Sequence, residues 1–244
     1  IMKIKNILLI VIIIVLLYIV VKYVIKDKTT LTQTTSAKTM QKIESSSLAT
    51  NSTTGNTSNF AYSIWFFIDD WNYRYGESKI IFGRMGTTAG AGELQPCPSV
   101  TLAPLQNNAV VSLTCYNGSD ESNSNYTIFN NCGISNVPIQ KWVNMTISVY
   151  GRSIDVYLDG KLVRTCVMPG VAKIDGSAPV YVTPEGGFSG YTAKFQYYPN
   201  ELDPQTAWNI YQSGYGASLL GNLFNYKVKV ILMDGDTEDS SITI

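Results

Sequence analysis

The sequence predicts an all-β fold, an antiparallel β-sandwich with one short helix, preceded by a transmembrane helix and a polar stalk. Three observations carry this reading. From residue 59 onward, apolar and polar residues alternate with a period of two in many short runs, as strand side chains do when they point to opposite faces. Gly-containing turn signals separate those runs. Only residues 203–214 combine a cap, a Pro at the first helical position and helical spacing.

Taken in order, residues 1–28 come first. Ile7 to Ile25 is almost wholly apolar, and as a helix it would extend roughly 28 Å at about 1.5 Å per residue, enough for a hydrocarbon core of about 30 Å. No small-x-small cleavage site follows the run, where Lys22-Tyr23-Val24-Ile25-Lys26 stands, so an uncleaved anchor is expected. Lysines flank both ends and leave the orientation open. Residues 29–58 are rich in Thr, Ser, Asn and Gln and are expected to form a flexible or extended stalk. The alternative for Lys38 to Leu48, with Met40, Ile43 and Leu48, is ordering along a partner.

The folded domain is expected over 59–244. Tyr62, Ile64, Phe66 and Ile68 alternate with Ala61, Ser63, Trp65 and Phe67, so this strand is apolar on both faces and central. A polar and aromatic loop, Asp69 to Glu77, leads to a strand at Lys79 to Arg84. Short strands follow near Ser99–Leu102, Ala109–Cys115 and Tyr126–Phe129. In Trp142–Tyr150, Val143, Met145, Ile147 and Val149 alternate with Asn144, Thr146 and Ser148, which predicts a half-buried strand. Gly151 and Asp159-Gly160 supply the turns of a hairpin continuing through Ile154–Leu158 to Thr165. Further strands are expected at Val180–Thr183 and Gly190–Tyr198, then the helix from Asp203 to Gly214, and a last strand with Tyr226, Val228, Val230 and Leu232. Asp234 to Asp239 reads as a solvated acidic turn.

Composition excludes several functions. The 244 residues carry zero net charge, with 15% charged residues, which removes the basic face that nucleic acid requires. There is no His, hence no Ser-His or Cys-His catalytic pair and no imidazole-based zinc site. Cys97, Cys115, Cys132 and Cys166 suggest two disulfides, for which three connectivities exist. The preferred pairing is Cys115 with Cys132 across the Asn117–Asn131 loop, leaving Cys97 with Cys166; the alternative is four buried free thiols. Glycosylation sequons begin at Asn51, Asn56, Asn117, Asn125 and Asn144. Asp69, Asp70 and Glu77 could offer oxygens to calcium, or form a solvated loop. Trp71, Tyr73 and Tyr75 could stack on pyranose rings, or pack in a sandwich corner.

Four stretches together resemble laminin-G-like, concanavalin A-type lectin/glucanase jelly rolls. They are Ser63 to Glu77, the Trp142 to Thr165 hairpin, Gly186-Gly187-Phe188-Ser189-Gly190-Tyr191, and Tyr197 to Pro204 with its helix. The resemblance covers residues 60 to about 215 and is most similar to the amino-terminally anchored versions in nucleocytoplasmic large DNA viruses. It implies a virion component in a viral inner membrane facing the capsid. The chain lacks both the Glu-x-Asp-x-x-Glu run of the glucanases and the metal-binding His of the lectins, so neither glycosidase activity nor lectin-type metal binding is expected. Two functions follow. One is a non-enzymatic, single-pass membrane protein anchored through residues 7–25 that links a viral membrane to capsid proteins, without a cofactor. The other is an outward-displayed carbohydrate-binding module with Trp71, Tyr73 and Tyr75 as platform and calcium at Asp69 and Asp70.

Overall fold

A computed structural model describes residues 29–49, 58–87, 94–117, 126–216, 229–234 and 237–243. The predicted anchor, residues 7–25, lies outside these. Among the described residues no helix is long and apolar enough to cross a membrane.

Two six-stranded antiparallel sheets pack face to face. The first holds β1 (Thr35–Ser36), β3 (Phe60–Asp70), β8 (Trp142–Tyr150), β9 (Ser153–Leu158), β10 (Lys161–Val167) and β12 (Ser189–Tyr198), in the order β1-β12-β3-β8-β9-β10. The second holds β2 (Gln41–Ile43), β4 (Lys79–Thr87), β5 (Leu94–Leu102), β6 (Ala109–Tyr116), β7 (Tyr126–Ile134) and β11 (Val180–Val182), in the order β2-β11-β4-β5-β6-β7. The single described α-helix, α1 (Pro204–Gln212), begins where expected, with the Asp203 side chain accepting from the Thr206 N–H.

β3 is interior to its sheet, as its two apolar faces require. Tyr62, Ile64, Phe66 and Ile68 enter the core with Phe82, Val100, Val111, Ile147 and Phe195, all buried. Each such side chain contributes roughly 1.5–3 kcal/mol through removal from water. The β9–β10 turn places Asp159 at φ 49° and Gly160 at φ 73°, the two left-handed positions of a tight hairpin.

Residues 29–49 are not a stalk. Thr35–Ser36 pairs with Thr192 and Tyr191 in the first sheet, and Gln41–Ile43 pairs with β11 in the second. This strap crosses from sheet to sheet and buries Ala37, Ile43 and Leu48 in the core. A segment poor in apolar residues is ordered because it completes two exposed strand edges, whose backbone groups would otherwise lack partners. On the opposite side, a disulfide joins Cys132 of β7 to Cys166 of β10, while Cys97 and Cys115 are free and buried. The expected pairs Cys115–Cys132 and Cys97–Cys166 are therefore incorrect. Cys132 and Cys166 lie on the outermost strands of the two sheets and meet across the sandwich.

β8 is buried on both faces rather than one. The segment leading into α1 covers its polar side, where Ser148 Oγ accepts from the Leu202 N–H and donates to the Leu202 carbonyl. Beside it, Asn144 Nδ2 donates to Ser63 Oγ, and Thr146 Oγ1 lies 3.0 Å from the same hydroxyl. Asn144 is 0% exposed, so it cannot carry a glycan in this fold, and that sequon expectation is corrected.

The sandwich occupies residues 29–215 as one compact unit. The expected boundaries, 59–244, move accordingly. Strands β13 (Lys229–Asp234) and β14 (Thr237–Thr243) form a separate two-stranded hairpin in another unit.

Candidate functional site

Three loops converge at one end of the sandwich: β3–β4 (71–78), β5–β6 (103–108) and β7–β8 (135–141). Backbone bonds tie them together. Gly76 N–H donates to the Pro104 carbonyl at 3.2 Å, Val137 N–H to the Asn107 carbonyl at 2.6 Å, and Gln140 N–H to the Ile68 carbonyl at 2.7 Å. Between them lies a groove of about 700 Å³ lined by Trp71, Leu105, Gln106, Asn107, Asn108, Ser135, Asn136 and Ile139. That volume falls within the range of about 300–1,000 Å³ usual for ligand sites.

The amides of the groove hold one another in place. Asn108 Oδ1 accepts from the Asn136 N–H at 3.1 Å, and Asn108 Nδ2 donates to Gln106 Oε1 at 2.9 Å. Asn107 Nδ2 donates to the Val137 carbonyl at 3.2 Å. This leaves Gln106 Nε2, Asn107 Oδ1 and the Asn136 side-chain amide with no partner among the described residues. The Gln106, Asn107 and Asn108 side chains are thereby oriented while donors and acceptors remain open. Leu105 is 61% exposed and Ile139 44%, giving apolar surface beside the amides. Trp71 packs partly against the core, and its Nε1 is buried without a partner among the described residues.

The electrostatics of the groove are neutral, since no charged side chain lines it. Lys79 stands just behind Trp71, 4.9 Å from its ring, with Nζ 3.4 Å from the Trp71 carbonyl. Burial holds its pKa below the usual lysine value, with the Arg74 charge adding to that effect.

The sequence-expected platform is not assembled as one surface. Trp71 lines the groove. Tyr73 turns to the 183–187 turn, its hydroxyl donating to the Gly186 carbonyl at 3.1 Å and its ring facing Lys38 Nζ at 4.5 Å. Tyr75 is 60% exposed. The acidic trio is dispersed as well. Asp70 accepts from the Asn72 N–H, Glu77 is paired with Arg74 at 2.8 Å, and Asp69 is exposed. Among the described residues no group of three Asp, Glu, Cys or His side chains is placed to hold a metal ion. Of the other sequons, Asn117 is exposed, while Asn51, Asn56 and Asn125 lie outside the described residues.

Sequence reasoning found Trp71 and missed the rest of the groove. Leu105-Gln106-Asn107-Asn108 and Ser135-Asn136 read as ordinary turns, and only the topology brings them to the same end as Trp71.

No protein-family model and no curated protein sequence matches the chain. Solved structures do match in fold. The ligand-binding domain of botulinum neurotoxin serotype D, in complex with N-acetylneuraminic acid, is similar with a TM-score of 0.51 and 14% identity, over 76% of this chain and 43% of that one. The binding domain of botulinum neurotoxin DC, in complex with rat synaptotagmin II, has a TM-score of 0.45 and 18% identity, over 64% of this chain and 35% of that one. The chain thus spans less than half the length of these binding domains. The likeness to the serotype D domain is one of fold: an all-β, two-sheet antiparallel sandwich with one helix.

Proposed function

We propose that this is a non-enzymatic binding domain whose loop groove takes a neutral glycan. The observation that carries the reading is the groove itself: pre-positioned amides with unused donors and acceptors beside Trp71, Leu105 and Ile139. A sugar presents hydroxyls for amides and apolar ring faces for aromatic and aliphatic side chains, which is the combination found here. Glycoside hydrolysis needs two carboxyl groups flanking the bond, and no carboxylate lines the groove. The neurotoxin domain holding N-acetylneuraminic acid contributes the fold alone, because its identity to this chain is 14%.

The sandwich is a lectin-type jelly roll in this reading, presented at a membrane by residues 7–25. The test is binding of the full chain to a panel of neutral and acidic polysaccharides, with and without calcium. Saturable, calcium-independent retention of a neutral glycan is expected; no retention by folded protein would refute the reading. Alkaline extraction of membranes tests the anchor, since release of the protein into the supernatant would exclude a spanning helix.

A further inference from the structure

A second pocket lies apart from the loop groove, between the strap, β4 and the turn before β11. It encloses about 240 Å³ and is lined by Ser45, Ser46, Leu48, Ala49, Arg84, Gly176 and Tyr197. Arg84 is only 5% exposed, although it contributes to the wall. Its Nε donates to the Ala178 carbonyl at 3.1 Å and its Nη2 to the Gly176 carbonyl at 2.9 Å.

A buried guanidinium normally faces a carboxylate, because burying an uncompensated charge is unfavourable. Among the described residues no carboxylate lies within ion-pair distance of Arg84. Asp175 is the nearby acid, and its Oδ1 accepts from the Ser177 backbone and hydroxyl at 2.9 and 2.6 Å. The other neighbours are phenols. Tyr197 lines the pocket, and Tyr62, tilted against it with ring centroids 4.9 Å apart, has a buried hydroxyl without a hydrogen-bond partner of good geometry. Burial raises both phenol pKa values and Arg84 opposes the rise, so both phenols are neutral near pH 7.

We propose that this pocket binds a small oxyanion, a carboxylate or phosphate group, on Arg84, with Ser45, Ser46 and Tyr197 as hydrogen-bonding partners. With Nε and one Nη2 hydrogen held by the two carbonyls, Nη1 and the second Nη2 hydrogen remain as a planar pair of donors that suits either group. The two carbonyls hold the plane of the guanidinium from its Nε edge, so little ordering is left to binding at the other edge.

Calorimetric titration of the full chain with acetate, inorganic phosphate and the uncharged isostere acetamide tests the proposal. Saturable binding of at least one anion is expected, with none for acetamide. Acetate alone would identify a carboxylate ligand and phosphate alone a phosphorylated one, and either supports the site. Arg84→Lys should weaken binding by about tenfold or more by removing that planar pair. Should that variant fail to fold by circular dichroism, Ser45→Asp decides: its carboxylate at the wall should weaken binding by about tenfold or more while leaving the buried core untouched. No saturation by either anion on folded protein, equal binding of acetamide, or unchanged affinity in Ser45→Asp would overturn the proposal.

Discussion

Cys132 and Cys166 are bonded to each other, joining the outermost strand of one sheet to the outermost strand of the other. The cross-link spans a sequence separation of 34, and the chain-entropy estimate for such a loop is about 3–4 kcal/mol. The Cys132→Ser/Cys166→Ser double variant should lose stability of that order, read as a lower urea midpoint. Non-reducing peptide mapping should recover the Cys132–Cys166 pair and free Cys97 and Cys115. Burial pushes the Cys97 thiol up to about 11, so it should resist alkylation at neutral pH until the protein unfolds. A disulfide containing Cys97 would contradict this arrangement.

The strap makes a second prediction. Ala37 N–H donates to the Gly190 carbonyl at 2.9 Å, and the Phe188 N–H donates to the Ala37 carbonyl at 3.3 Å. Gly187 sits at φ 44°, where a Cβ would come 2.1 Å from the Ala37 carbonyl oxygen. Gly187→Ala should therefore cost about 2–4 kcal/mol by forcing the strap away. Amide exchange at Leu31 and Ala37 should be slow in the wild type and faster in the variant. Fast exchange at both positions in the wild type would mean that residues 29–49 are a spacer after all.

Acid should destabilise the sandwich through two capping carboxylates. Hydrogen bonds from Ser177 hold the Asp175 pKa below the ordinary value of 3.8, and those from Thr206 do the same for Asp203. A folded-state pKa below the unfolded one means that the stabilisation is complete above the unfolded pKa. It is lost as pH falls through the folded pKa. Stability should thus decline below about pH 4. The Asp175→Asn/Asp203→Asn variant should show a flatter acid limb in denaturation midpoints recorded from neutral to acid pH; an unchanged limb would remove both carboxylates from the account.

Much of the fold was legible from periodicity. β3 and β8 were readable because Tyr62 to Ile68 and Val143 to Val149 alternate cleanly, and Asp203-Pro204 marked α1. The strap was not readable, because its order comes from completing the edges of β12 and β11 rather than from its own apolar content. Asn144 was assigned to a solvated face because nothing local signals that the segment at Leu202 covers it. Non-local structure also decides the site. Trp71 stands out in any sequence, whereas Gln106 and Asn136 acquire meaning only when the Asn136 N–H reaches Asn108 across two loops.

The most direct measurement is the affinity of variants for the neutral glycan retained by the wild-type chain. The Gln106→Ala/Asn136→Ala variant removes two of the three open amides of the groove, while Tyr75→Ala changes an exposed aromatic outside it. The groove account predicts a loss of about tenfold or more for the first and no change for the second. Unchanged affinity without the two amides, or loss in Tyr75→Ala alone, would contradict it and return glycan recognition to the β3–β4 loop.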